Sequence, residues 1–194
     1  LIIILVLSCT INSLIFTFLN SYNLMSNLII ISSLFLIIHS LKDFIFQSKT
    51  KLYFNFPSFL SHLGFGILIF FIILNHNFSK EYDLNIKVGE TKQIGDMEIK
   101  FKDLKIEKRE NYNVIIGNFN IYDNKKNFEK KLNPEIRVYD NPQSLTFETA
   151  IKTNLKQDLY LTMSNIDGSD FYNVKFQIKP FMLWIWFAAF LTAG

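Results

Sequence analysis

The sequence has a single cysteine, Cys9, in 194 residues. A disulfide framework needs at least two, and a lone Cys inside an apolar run carries no information about redox compartment. Charge is scarce over the first part of the chain. Of 20 basic and 17 acidic residues, only Lys42, Asp43, Lys49 and Lys51 precede Ser79; 32 lie between Ser79 and Ile178, and Lys179 completes the count. Seventy-eight residues with four charges and long runs of Ile, Leu and Phe have a membrane composition, which excludes a single soluble domain. The net charge of +3 makes no basic stripe and argues against nucleic acid as a partner. Aromatic residues at 16% with little net charge exclude disorder. The first residues lack both Met and a basic n-region, a poor match to a cleaved signal peptide.

Four apolar segments read as membrane spans: residues 1–19, 24–41, 58–78 and 181 onward. The last has fourteen residues, where a crossing helix needs about 20. The expectation is a fragment of a larger polytopic α-helical membrane protein, with about four spans and the last one truncated. The connector 42–57 holds three lysines against one aspartate, so the positive-inside rule assigns it to the cytoplasm and residues 79–178 to the extracytoplasmic side. Residues 179–194 then begin the final span. Trp184 and Trp186, just after Lys179 and Pro180, fit an interfacial aromatic belt.

Within 79–178 the alternation has period two. Ile99 and Phe101, then Leu104 and Ile106, keep strand spacing with a slip at Asp103 that predicts a bulge. Tyr112, Val114 and Ile116, then Phe119 and Ile121, slip in the same way beside Gly117. Further strands are expected at 84–88, 135–139, 158–163 and 171–178, with turns at Gly95-Asp96, Asp123-Asn124, Asn141-Pro142 and Asp167-Gly168. Only 146–156 reads as briefly helical. The expected fold is a small antiparallel β-barrel or sandwich inserted between spans. This region has no His or Cys, which excludes a zinc site or a cysteine nucleophile there. Its carboxylates are scattered among lysines and read as a solvated surface.

The three histidines all lie in or near the spans. His62, in SHLGFGI, is about one turn into the third span, and an imidazole in hydrocarbon needs a partner. Gly64 and Gly66 permit a close approach to this backbone, by a neighbouring helix or by a flat macrocycle whose iron the imidazole ligates. Physics alone ranks helix packing first. His39 is placed to snorkel at the cytoplasmic end of the second span, and His76 reads as a surface residue at the outer end of the third. His76 follows His62 by about 21 Å of helix, so the two cannot share one iron.

Four signatures from residue 58 to 194 resemble the C-terminal part of the cytochrome c maturation haem lyase family, CcmF and its nitrite-reductase-associated relatives. They are SHLGFGI around His62, NPEIRVY at 133–139, FETAIKTNLKQDLYL at 147–161 and KPFMLWIW at 179–186. The resemblance implies a haem lyase that attaches haem covalently to the Cys-x-x-Cys-His motif of apocytochrome c at the outer face of the membrane. It implies as partners a haem chaperone (CcmE-like), a thiol-handling subunit (CcmH-like), apocytochrome c and membrane lipid. It implies an intramembrane haem b that assists reduction, with His62 as one axial ligand. Arg137, within NPEIRVY, is a candidate contact to a haem propionate or a partner carboxylate, although a plain ion pair is the commoner use of such a residue. The expected location is the bacterial inner membrane with the β domain in the periplasm, or an organellar inner membrane. The family's tryptophan-rich segment is absent, since Trp184 and Trp186 are the only tryptophans, so this piece is expected to be catalytically incomplete. The competing reading is a membrane-anchored scaffold without its own haem, in which His62 packs between helices.

Overall fold

A computed structural model describes residues 1–18, 23–50, 55–123 and 128–193. They form two compact units, Leu1–Phe78 with Pro180–Gly194, and Ser79–Lys179.

The first unit is helical, with α1 (Ile2–Phe18), α2 (Leu24–Thr50), α3 (Phe56–Phe78) and α4 (Met182–Ala193). Leu24–Phe46 of α2 and all of α3 are long and apolar enough to cross a membrane, while the apolar stretches Ile2–Ile15 and Met182–Ala193 are shorter. Side-chain caps set two of the starts. Asn23 Oδ1 accepts the Met25 N–H at 3.0 Å, and Asn55 Oδ1 accepts that of Ser58 at 3.3 Å. Pro57 adds to the second, because its missing N–H costs nothing in a first turn. α2 runs on to Thr50, well past Leu41, where the apolar count alone puts the end of the span. No Pro or Gly interrupts 42–50, and an i,i+4 pair of His39 Nδ1 with Asp43 Oδ2 at 3.1 Å supports the extension. Ser26, Ser33 and Ser40 recur every seven residues on α2 and are all buried. Two of their hydroxyls bond back within the helix, Ser33 to the Ile30 carbonyl and Ser40 to that of Leu36, each at 2.8 Å. Small, self-satisfied residues at this spacing give neighbouring helices a close surface.

The second unit is a curled antiparallel sandwich. Its strands are β1 (Lys80–Ile86), β2 (Thr91–Ile94), β3 (Met97–Lys108), β4 (Tyr112–Asp123), β5 (Phe128–Leu132), β6 (Glu135–Asp140), β7 (Gln143–Glu148), β8 (Ala150–Thr153), β9 (Gln157–Asn165) and β10 (Tyr172–Pro180). One sheet runs β1-β10-β9-β8, and the other β2-β3-β4-β6-β7 with β5 also on β4. Between them Ile86, Ile99, Phe101, Phe119, Leu161, Met163, Val174 and Phe176 are fully buried. The rings of Phe101 and Phe119 stack at 4.2 Å. Each such side chain contributes roughly 1.5–3 kcal/mol relative to exposure, so this core sets the stability of the unit.

The bulge expected at Asp103 is present: the β3–β4 register shifts between Phe101 and Asp103. The second slip needs a correction. β4 stays in register with β3 through Gly117, which pairs with Leu104. What changes there is the partner on the other edge, from β6 to β5, with the Gly117 N–H bonded to the Pro134 carbonyl at 3.0 Å. Gly117 answers to packing, because a Cβ there would lie 2.7 Å from Phe119 Cε2 and 2.8 Å from Met163 Sδ. The helical reading of 146–156 is also overturned. That segment is the end of β7, all of β8 and the turn into β9. Cross-strand pairs Ile136↔Phe147 and Ala150↔Leu161 outweigh its helical propensity.

Candidate functional site

α3 is held on two sides by its glycines. A Cβ on Gly64 would lie 2.8 Å from the backbone nitrogen of Thr192 in α4, and one on Gly66 would lie 2.9 Å from Ile37 Cγ1 of α2 and 3.4 Å from the Ser33 carbonyl oxygen. The close approach allowed at these positions is thus made by helices, α4 at Gly64 and α2 at Gly66. At 100° per residue the two glycines face nearly opposite ways. Farther along, Asn75 Nδ2 donates to the Pro180 carbonyl at 2.5 Å, and Phe71 stacks on Trp184 with centroids 5.9 Å apart.

A third face of α3 is left open, carrying His62, Phe65, Ile72 and His76, all exposed. His62 Nδ1 lies 2.6 Å from the Ser58 carbonyl oxygen. A carbonyl only accepts, so Nδ1 carries the proton and donates. The imidazole is then the Nδ1–H tautomer, with the Nε2 lone pair free to bind. Fixing a metal-binding histidine through its other ring nitrogen is the usual way to orient such a ligand. One turn on, Phe65 and Ile69 join Leu28, Phe35 and Leu36 of α2 along an apolar groove of about 510 Å³. A haem needs an imidazole nitrogen on its iron and an apolar wall beside it; the groove is such a wall, and His62 lies one helical turn away, outside its lining. His39 differs, since its Nδ1 is engaged by Asp43. His76 lies exposed near the far end of α3. No three His, Cys, Asp or Glu side chains gather into a metal site among the described residues.

Arg137 has its partners within the sandwich. Nε and Nη2 donate to Glu135 Oε2 at 2.8 and 2.7 Å, Nη1 is 3.7 Å from Glu148 Oε1, and the guanidinium lies 5.3 Å from the Tyr112 ring centre. Glu135 and Glu148 are directly opposed in the β6–β7 register, a repulsive pair that Arg137 bridges. The Glu135 hydrogen bond holds the Arg137 guanidinium above its ordinary range. These contacts fit the plain ion-pair reading.

One polar contact escaped the sequence reading. Asn12 Nδ2 donates to Asn27 Oδ1 at 2.9 Å, tying α1 to α2, while the buried Asn12 Oδ1 has no partner. The available signal was a pair of amides inside otherwise apolar runs.

An antiparallel sandwich inserted in sequence between apolar helices, two of them long and apolar enough to cross a membrane, fits a membrane protein with an inserted β domain. Residues 77–180 match the family model described as the CcmF C-terminal beta-sandwich, and the chain belongs to that family. It is 28% identical over 145 residues to the cytochrome c-type biogenesis protein CcmF of Pseudomonas aeruginosa, covering 75% of this chain and 22% of that protein. Against CcmF of Haemophilus influenzae the identity is 33% over 135 residues, 69% of this chain and 20% of the other. The probable cytochrome c-type biogenesis protein NrfE of Escherichia coli is 22% identical over 153 residues, 79% of this chain and 27% of its own. A solved structure named cytochrome c heme lyase CcmF superposes with a TM-score of 0.77 at 14% identity, covering 99% of this chain and 33% of that one. The chain therefore spans between a fifth and a third of the length of the proteins it matches.

Proposed function

We propose that this chain is the C-terminal part of a cytochrome c haem lyase, with His62 as one axial ligand of an intramembrane haem b. The observation that carries the assignment is the His62 imidazole, its Nδ1–H committed to the Ser58 carbonyl and its side chain exposed on an open helix face. When bound, haem b supplies one-electron chemistry, keeping the incoming haem iron ferrous for thioether formation. The protein's own part is narrower. Ser58 fixes the ring tautomer, Gly64 and Gly66 lock α3 between α4 and α2, and the groove beside Phe65 offers an apolar wall. α1 to α4 act as membrane-spanning segments, and the sandwich lies on the periplasmic side of a bacterial inner membrane, following the lysine count of 42–57. There it serves as a docking surface for a haem chaperone, a thiol-handling subunit and apocytochrome c.

The test is the absorption spectrum of the purified full-length protein. Wild type shows a b-type haem spectrum, and His62→Ala weakens or removes it. Unchanged haem content in His62→Ala defeats the ligand assignment.

A further inference from the structure

Among the described residues, five strands of the sandwich pair on one side only: β1 and β8 at the ends of one sheet, β2 and β7 at the ends of the other, and β5 beside β4. An outer strand turns about half of its backbone N–H and C=O groups to open space, a template for another strand, and a charged side chain is the usual protection. β1 carries Lys80, β2 Lys92, β5 Lys130 and Lys131, and β8 Lys152. β7 has no lysine, and its run Gln143 to Phe147 has no charge, Gly or Pro. Leu145 and Phe147 on it are 48% and 42% exposed.

These two side chains extend an apolar surface. Ile106, Ile115, Ile136 and Phe147 stand directly opposite one another from β3 across β4 and β6 to β7, and Val138 opposes Leu145 two residues on. Opposed residues share a face of the sheet. Ile136 is fully buried, so the covering of this face stops short of β7. A strand added at β7 would set its alternate side chains against Leu145 and Phe147. Charge lies only at the two ends of the edge. Exposed Asp140 opposes Gln143 at one end, and at the other Glu135 and Glu148 share the single guanidinium of Arg137, which leaves a net negative charge there.

We propose that β7 is a docking edge for an extended segment of a different polypeptide, one with apolar residues at alternate positions and a basic residue at each end. A row of unpaired backbone groups is matched by another strand. The uncharged middle selects apolar side chains, and the acidic ends select lysine or arginine. A second copy of this chain fits less well. Its own β7 would bring the same acidic ends, and six residues a side fall short of the roughly 20–30 a side of a stable interface. A short linear segment uses the whole edge, about 20 Å long. The proposal stands on the sandwich by itself and needs no haem at His62.

The test is fluorescence anisotropy of the full chain in detergent with a labelled peptide, Lys-Val-Thr-Val-Thr-Val-Lys. The expected result is saturable binding that Leu145→Lys/Phe147→Lys weakens about tenfold, through the loss of two apolar cross-strand pairs, and that Leu145→Val/Phe147→Val retains. The same peptide N-methylated along its backbone keeps its side chains, loses its strand donors and should not bind. No binding by wild type overturns the proposal, as does undiminished binding by the lysine variant or equally tight binding of the methylated peptide. A dimer that the peptide does not dissociate, read as a disulfide of Thr146→Cys in a Cys9→Ser chain, overturns it in favour of a second copy. Unchanged β-type circular dichroism in the lysine variant excludes misfolding as the cause of lost binding. Should the double variant fail to fold, Leu145→Lys alone, at a half-exposed side chain, carries the same test with a smaller loss.

Discussion

The two units distribute their apolar residues in opposite ways. In the sandwich Phe101, Phe119 and Phe176 are fully buried and the lysines and glutamates lie outside, whereas in the helical unit Ile2, Ile3, Phe46, Trp186 and Phe190 are each more than half exposed. The fully buried side chains of the helical unit include a hydroxyl, Ser8, whose Oγ donates to the Ile4 carbonyl at 2.8 Å. The hydrophobic effect organises the first arrangement. In the second, helices meet through small residues and locally satisfied polar groups, because lipid gives an apolar side chain no reason to turn inward. One chain thus follows two packing rules, and an exposed Leu is ordinary in the helical unit and unusual in the sandwich.

The largest effect that separates the units is expected from Phe101→Ala. Removing a fully buried, stacked ring costs about 3–5 kcal/mol. The loss should appear as an early thermal transition in the β-type circular dichroism. Both tryptophans lie in α4, so their emission reports on the helical unit and should hold through that transition. If the tryptophan signal shifts at the same temperature, the two units unfold together and the contrast between them is not energetic.

A smaller effect tests the helical side. Gly64→Leu places a side chain where even a Cβ meets the α4 backbone at 2.8 Å, an overpacking that costs about 1–3 kcal/mol. Trp184 and Trp186 emission should change while the β-type circular dichroism stays. Unaltered emission would show that α4 does not depend on this approach.

Legibility from sequence also divides between the units. Composition located the apolar helices and the β-rich region between them, because solvent selects composition. Period two located most of β3, β4, β6, β9 and β10, whose alternate residues face one shared core. It missed β7 and β8, edge strands whose outward residues include Leu145, Phe147 and Ile151, so that burial and polarity do not alternate together. At the candidate site, the glycines and His62 were conspicuous as residue types in an apolar run. Which helix each glycine meets, and which ring nitrogen is left free, depend on neighbours far away in sequence or on one carbonyl a turn earlier, and no spacing rule encodes those. Arg137 stood out as the arginine of NPEIRVY, but its bridging of Glu135 and Glu148 follows from the β6–β7 register.

The smallest effect belongs to the surface charges that only the sandwich carries in number. Glu81 on β1 is hydrogen bonded diagonally to Lys175 on β10, and its direct cross-strand partner Gln177 adds a bond from Nε2 at 2.6 Å. The bond from Lys175 lowers the Glu81 pKa, and the same bond raises that of Lys175. A lowered carboxyl pKa contributes stability that is complete above its ordinary value and is lost as pH falls through the depressed one. A raised ammonium pKa contributes stability that is complete below its ordinary value and is lost as pH rises through the elevated one. The pair should therefore support a plateau between the two limits. Glu81→Gln should lower that plateau slightly and flatten both limbs in a pH series of thermal melts. Both groups are solvent-exposed, so salt near 1 M, where the Debye length is about 3 Å, should remove the difference between wild type and variant. A difference that survives such salt would mean that Glu81 acts through its bond to Gln177 and not through charge, which would move the contrast between the units from electrostatics to hydrogen-bond geometry.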